Sequence, residues 1–259
     1  MSDSKVNESA TGCVPPLPAA PSCGRAVLLH VCCGPCSTHC VRAMREGGME
    51  PVAFFSNSNI DTAEEFQKRL DTLRAFAEKA GIRVVADDYD HSAWLRAVKG
   101  LEGEPEGGRR CDVCFRFNLG RAAAKAAEMG FGAFTTSLTV SPHKNSARVF
   151  SAGEAAANER REEASEAEAN ERREKADEAA ANDRREEGGN AITNDRREEG
   201  DLNGRDAECR DVKAPASPEF LKIDFKKRGG FLDSVQLARE YGLYRQNWCG
   251  CEFSRRPTP

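Results

Sequence analysis

No stretch of this chain approaches the roughly 18 consecutive apolar residues of a membrane-spanning helix, and its first residues do not form a signal peptide. Neither a membrane protein nor a secreted one is expected, and the cytoplasm is the expected compartment. Apolar side chains are scarce overall: mean hydropathy is −0.63, and 31% of the 259 residues are charged. Part of the chain is therefore not expected to contribute to a core.

The shortage has an address. Asn158-Glu-Arg-Arg-Glu-Glu returns in near-identical form at Asn170, Asn182 and Asn194. A twelve-residue step turns a helix about 120° beyond whole turns, so no common face builds up, and the apolar residues in between are nearly all alanine. Stacked repeats need an apolar face. Residues 151–217 are therefore expected to be a charged low-complexity insertion, either disordered or a solvated helix. Residues 1–25, with Pro15, Pro16, Pro18 and Pro21, are expected to be a disordered leader. Residues 151–213 hold 20 acidic and 12 basic side chains, so a chain of net charge −4 has a remainder of net +4. A mildly basic body is compatible with a nucleic-acid partner.

What remains, 26–150 and 218–256, is expected to form a single domain. Apolar runs at 26–31, 52–55, 82–86 and 131–138 alternate with helical patterns, the signature of an α/β fold with a parallel sheet flanked by helices. The sheet is expected to be Rossmann-like, with a PP-loop-like variant left open. A helix is expected from Thr62, where Thr62 and Glu65 have capping-box spacing, to Gly81. Further helices are expected at 89–98 with Trp94 and Leu95 inward, at 113–129, and at 231–241 with Leu232, Val235 and Ala238 inward. Residues 220–223 read as a strand.

Cysteine is what the chain has in abundance, eleven in all. In a reducing compartment, clustered cysteines point to metal binding or redox chemistry before structural disulfides. The first strand runs straight into Cys32-Cys33-Gly34-Pro35-Cys36, with Pro35 suited to a helix start, where thiolates are favoured. Cys40, one turn on, reads as packing. A second group is Cys111-Asp-Val-Cys114 and a third is Cys249-Gly-Cys251. Two thiol groups at sheet-edge loops suit zinc or an iron–sulfur cluster. One intervening residue in the third makes a strained, easily reduced disulfide ring, a plausible two-electron store. Cys33-Gly-Pro-Cys36 also spells a thioredoxin-like motif, so a thiol–disulfide oxidoreductase stands as an alternative, and a zinc-stabilised RNA-binding protein as another. Tyr244, Arg245, Trp248, Arg255 and Arg256 are candidates to stack on a base and hold phosphates.

Taken together, Leu28-Leu-His-Val-Cys32-Cys33-Gly-Pro-Cys36, Tyr89-Asp90 with Trp94, Glu106-Gly-Gly-Arg-Arg-Cys111-Asp-Val-Cys114-Phe, Phe134-Thr-Thr-Ser-Leu, Ser141-Pro-His-Lys144, Asp224-Phe-Lys-Lys and Tyr244-Arg-Gln-Asn-Trp-Cys249-Gly-Cys251-Glu-Phe-Ser resemble the cobalamin-independent epoxyqueuosine reductases, the QueH family. The resemblance implies an oxidoreductase that converts epoxyqueuosine to queuosine at the wobble position of tRNA, the last step of queuosine biosynthesis. It implies a 4Fe-4S cluster on Cys32, Cys33, Cys111 and Cys114, and a redox-active disulfide between Cys249 and Cys251. It also implies an additional iron, with Cys36 and Asp112 as candidate ligands, and a low-potential electron donor of unknown identity. Tyr244, Arg245 and Trp248, picked out above by their chemistry, are the candidate substrate contacts. The chain departs from the family pattern at Ser58, Trp248 and Asn118, none of them a proposed ligand.

Overall fold

The structure is a computed structural model that describes residues 25–186 and 217–254. The strands are β1 (Arg25–His30), β2 (Met49–Phe55), β3 (Val84–Ala86), β4 (Ala133–Thr136) and β5 (Glu219–Phe220). The helices are α1 (Gly34–Glu46), α2 (Ala63–Ala80), α3 (His91–Ala97), α4 (Arg109–Glu128), α5 (Ser146–Glu186) and α6 (Gly230–Glu240). All strand pairs are parallel, in the order β3-β2-β1-β4-β5. This is the expected Rossmann-like α/β architecture.

Strand period two sets the layers. Val27, Leu29 and Val31 face one core with Val41, Leu73 and Phe76, while Leu28 and Phe134 face a second core with Leu119, Ala122 and Val149. Both faces of β1 are thus covered, as parallel sheets require. From β1 the chain moves outward to β2 and β3, then crosses back to β4 and β5. The reversal leaves a crevice beyond the carboxyl ends of β1 and β4, the place where open α/β sheets bind ligands.

Local chemistry explains most element boundaries. Thr62 Oγ1 accepts from the Glu65 backbone N–H at 3.2 Å, and Gly81 closes α2 in the left-handed region at φ 63°. Four expectations needed correction. Helix α4 begins four residues before the expected start because Glu104 caps it from outside: its carboxylate accepts from the Arg109 N–H at 3.0 Å, and the Arg110 guanidinium ties the 101–104 loop to the same turn. Cys111 and Cys114 therefore lie on the helix itself.

The inward face of α6 is Gly230, Ser234 and Ala238, while Leu232 is 71% exposed. Helix α6 lies so close to α1 that a β-carbon at Gly230 would run into the Phe225 carbonyl and the His39 ring. A ridge of small residues, not an apolar stripe, makes that contact. In α3, Trp94 is fully buried as expected, but Leu95 is exposed.

Helix α5 crosses the boundary expected at 151. Val149, Ala152, Ala156 and Ala157 are buried against α4, and Gly153 receives the Phe220 ring, which a β-carbon would strike. Beyond Asn158 the described side chains of the helix are largely exposed, laced by pairs such as Glu168–Arg172 at 3.7 Å and Glu171–Lys175 at 2.6 Å. The rest of the expected insertion, 187–216, lies outside the described residues, as does the expected leader apart from Arg25, which opens β1.

Candidate metal and redox site

The crevice between β1 and β4 is stitched by polar groups at the strand ends. The Cys32 N–H donates to Ser137 Oγ at 3.1 Å, and that hydroxyl lies 3.5 Å from Cys32 Sγ. One residue earlier, His30 is fully buried between Thr136 Oγ1 (2.9 Å) and the Ser56 carbonyl (3.0 Å). Burial lowers its pKa, so the ring is neutral. The Ser56 hydroxyl in turn donates to Asp87 at 2.6 Å, which also pairs with Arg121 at 2.5 Å. Burial works against the Asp87 carboxylate, yet the hydrogen bonds from Arg121 and Ser56 outweigh it and hold its pKa below the ordinary value.

That depression gives a pH prediction. The stability from Asp87 is complete above the unfolded value of about 3.9 and is lost as pH falls through the lower folded value. Asp87→Asn is expected to lower the urea midpoint at neutral pH and to flatten the acid limb below about pH 4. Midpoints that fall in parallel with the wild type through that range would show that the pair contributes nothing.

Cys32, Cys33 and Cys36 form a triad whose sulfurs all lie within 4.8 Å of one another, an arrangement able to hold a metal ion. Cys33 caps α1 in extended conformation, and Cys36 lies on the first turn beyond Pro35. Cys40 is fully buried and its thiol donates to the Cys36 carbonyl at 3.2 Å, consistent with its reading as packing. In front of Cys32 opens a cavity of about 240 Å³, lined also by Cys111, Cys114, Cys249, Cys251 and Lys144. All three cysteine groups thus reach one place, with Cys33 and Cys36 behind Cys32 and off the cavity wall.

The last group is brought there by buried charge. Arg69 on α2 is 2% exposed, pairs with Glu65 at 2.6 Å and donates to the Cys249 carbonyl at 3.1 Å. The Asp61 N–H donates to the Gly250 carbonyl at 3.0 Å. Phe253 stacks on Trp94 at 5.9 Å, and His91 meets Glu252 at 2.8 Å. Cys249 and Cys251 are separate thiols in this structure. The Ser254 hydroxyl lies 2.8 Å from Cys249 Sγ and 2.8 Å from the Cys251 carbonyl.

The thiols do not share charge evenly. Hydrogen bonds from Cys33 and Cys36 hold the Cys32 thiol well below its ordinary pKa, with help from Lys144 and Ser137. The same interaction pushes Cys33 up to about 12 and holds Cys36 well above its ordinary value. Burial raises Cys111 and carries Cys114 to about 12. At the other side, Cys249 is lowered to about 6 by its hydrogen bond with Cys251, while Cys251 is raised. Burial disfavours the Lys144 ammonium, but Cys32 and Cys249 outweigh it and keep it charged. Of the five thiols that line the cavity only Cys32 and Cys249 are biased to the charged form, and Cys111, Cys114 and Cys251 lack the positive charge that would ionise them. A cationic iron–sulfur or metal group supplies that charge and draws the raised thiols into thiolate form, so the residues fit such a group.

The thioredoxin-like alternative does not fit this geometry. The first cysteine of that motif has to be accessible and acidic to attack a disulfide. Cys33 is 1% exposed and its pKa is raised.

Asp112 faces away from the thiols. Both of its oxygens meet Arg148, at 2.5 Å, and it lines a separate surface depression. The Tyr244 hydroxyl donates to Glu65 under the Lys68 ammonium, and Trp248 is half-buried with Arg69 over its ring at 4.8 Å. Arg245 is exposed, with its guanidinium 5.3 Å from the centre of the Phe231 ring. Arg255 and Arg256 lie outside the described residues.

A family profile described as epoxyqueuosine reductase QueH matches residues 27–188 and 202–257. The chain belongs to this family. It is 38% identical to the epoxyqueuosine reductase QueH of Acinetobacter baylyi, over 90% of this chain and 81% of that one. It is 36% identical to that of Haemophilus influenzae, over 90% and 72%, and 30% identical to that of Streptococcus pyogenes, over 89% and 71%.

Within this QueH chain, sequence reasoning passed over several residues of the site. Lys144 was legible as a lysine beyond a strand carboxyl end. Arg69 carried no such signal, since a lone arginine in an amphipathic helix reads as surface. Asn118, whose amide donates to Asn59 at 3.0 Å and lies 3.5 Å from Cys114 Sγ, was visible only as a departure from the family pattern.

Proposed function

We propose that this chain reduces the epoxide of epoxyqueuosine, at the wobble position of tRNA in the cytoplasm, to the cyclopentene of queuosine. The observation that carries the reading is the convergence of three cysteine groups on one cavity in the β1/β4 crevice. Cys32, Cys33, Cys111 and Cys114 hold a 4Fe-4S cluster, and Cys36 is the available thiol for an adjacent iron. Asp112 could join it only by leaving Arg148. A bound cluster supplies electrons one at a time.

The chain's own groups account for the rest. Removing the epoxide oxygen as water takes two electrons and two protons. Oxidation of the Cys249 thiolate and the Cys251 thiol to a disulfide releases two electrons and one proton, and the Lys144 ammonium on the same cavity wall is the donor for the second proton. Both sulfurs line the cavity, Cys249 as the more acidic of the two and Cys251 as its partner. Lys144 holds positive charge beside the sulfurs, and Trp94, held by stacking on Phe253, adds an apolar part to the cavity wall. Arg245 and Trp248 are substrate contacts on the approach, with Tyr244 fixing the segment that carries them. An external low-potential donor returns the disulfide to the dithiol.

The test is anaerobic reconstitution with iron and sulfide, followed by nucleoside analysis of epoxyqueuosine-containing tRNA under a low-potential reductant. Queuosine is expected to accumulate over many turnovers. A folded, iron-loaded protein that leaves epoxyqueuosine untouched sinks the proposal. A colourless protein with stoichiometric zinc and RNA affinity would support the zinc-stabilised RNA-binding alternative.

A further inference from the structure

Most arginines on this surface are neutralised. Arg42, Arg45, Arg74, Arg116, Arg121 and Arg148 each sit against a carboxylate. Lys227, Arg228 and Arg245 are exposed and, among the described residues, none of them has a carboxylate partner. Exposed cations without a carboxylate partner also occur elsewhere among the described residues, Arg96 and Lys99 among them, but these three lie on the two segments that border the cavity.

Their place is set by topology. The 226–228 segment follows β5, so it lies at the same carboxyl edge of the sheet as Cys32 after β1 and Ser137 after β4. It is tied to the cavity wall directly. Lys226 Nζ donates to the Lys144 carbonyl, Ser146 pairs with Asp224 at 2.9 Å, and the Phe225 N–H donates to Thr139 at 3.3 Å. His143 and Lys144 line the cavity. From the other side Arg245 reaches the Phe231 ring just after this turn, four residues before Cys249.

The backbone is bent to make the turn. Arg228 is the only described non-glycine residue at positive φ (55°), followed by Gly229 at 78°. A left-handed conformation is sterically costly for a residue with a β-carbon, and Asn or Gly would adopt it more easily. Here the position carries an arginine whose side chain is in solvent.

We infer that Lys227, Arg228 and Arg245 form a docking surface for the sugar–phosphate backbone of an RNA whose modified base enters the cavity. Spaced, unneutralised cations beside an opening recognise a polyanion by charge, without reading its sequence. The inference rests on the proposed tRNA substrate and adds where its backbone lies.

The test uses the reconstituted full chain and an unmodified anticodon stem-loop RNA, with affinity read by fluorescence anisotropy across a salt series. Lys227→Gln/Arg228→Gln is expected to weaken binding about tenfold at low salt and to make the slope of log affinity against log salt shallower by about 1–2. Arg245→Gln adds a further loss. With epoxyqueuosine-containing tRNA the effect falls on KM rather than kcat, and Arg228→Gly, which relieves the backbone while removing the charge, behaves like Arg228→Gln. Wild-type affinity and slope in the double variant, or a loss confined to kcat, overturns the inference. Binding is read without turnover, so the two readings fail separately. A chain that binds as expected yet reduces nothing loses only its proposed activity. One that reduces epoxyqueuosine with an unchanged slope in the variant loses only the docking surface.

Discussion

Cys32→Ser protein, reconstituted anaerobically with iron and sulfide, is expected to stay colourless and to lose more than 100-fold in reductase activity. That exceeds the roughly 10–100-fold typical of removing a partner that only supports a ligand. The reason is the position of Cys32 at the meeting point of the site. It belongs to the Cys32/Cys33/Cys36 triad and also lines the cavity shared with Cys111 and Cys114. Its surroundings also favour the charged form of the thiol. Serine keeps the size and the backbone bond to Ser137 but replaces a soft thiolate with a poor ligand for iron. Cys40→Ser is the matched control. That side chain is fully buried and its thiol donates to the Cys36 carbonyl, a bond a hydroxyl can make, so the protein should remain brown. Iron content, sulfide content and absorbance near 400 nm decide the matter. Full iron loading in Cys32→Ser would remove this residue from the ligand set.

The parts of this protein that follow local rules were legible in its sequence. Alternating apolar runs and helical patterns gave the parallel sheet, Thr62 and Gly81 gave the ends of α2, and strand ends meeting cysteines placed the site at the carboxyl edge. What escaped was set by contacts distant in sequence or by small residues. The start of α4 depends on Glu104, whose capping role has no standard spacing. The inward face of α6 is glycine, serine and alanine, because close approach to α1 leaves room for nothing larger. The packed first turns of α5 are alanine and glycine for the same reason, so composition assigned them to the insertion. At the site, cysteine spacing pointed to zinc or an iron–sulfur cluster without separating them. The buried Arg69–Glu65 pair that carries the C-terminal thiols into place has only the i,i+4 spacing common on helix surfaces, so nothing local marks it as buried.

Replacing Cys249 by serine separates the dithiol from the cluster. Cys249 lines the cavity but lies outside the Cys32/Cys33/Cys36 triad and outside the proposed ligand set, so Cys249→Ser is expected to load iron like the wild type. Its multiple-turnover rate should fall at least about tenfold, since the remaining Cys251 thiol cannot form the intramolecular disulfide whose formation delivers the electron pair. The acidity of Cys249 gives a second, independent readout. Its thiol is lowered to about 6 by the hydrogen bond with Cys251, with Ser254 and Lys144 assisting against burial. It is thus mostly thiolate at pH 7, whereas an ordinary cysteine, with a pKa of about 8.5, is mostly thiol. Alkylation of this residue should reach half its maximal rate near pH 6 in the wild type and move to higher pH in Ser254→Ala. Nothing in the cluster loading should change with that variant. Unchanged multiple-turnover activity in Cys249→Ser would take the dithiol out of the mechanism, and an alkylation midpoint at the ordinary cysteine value would show that Ser254, Cys251 and Lys144 do not bias the pair.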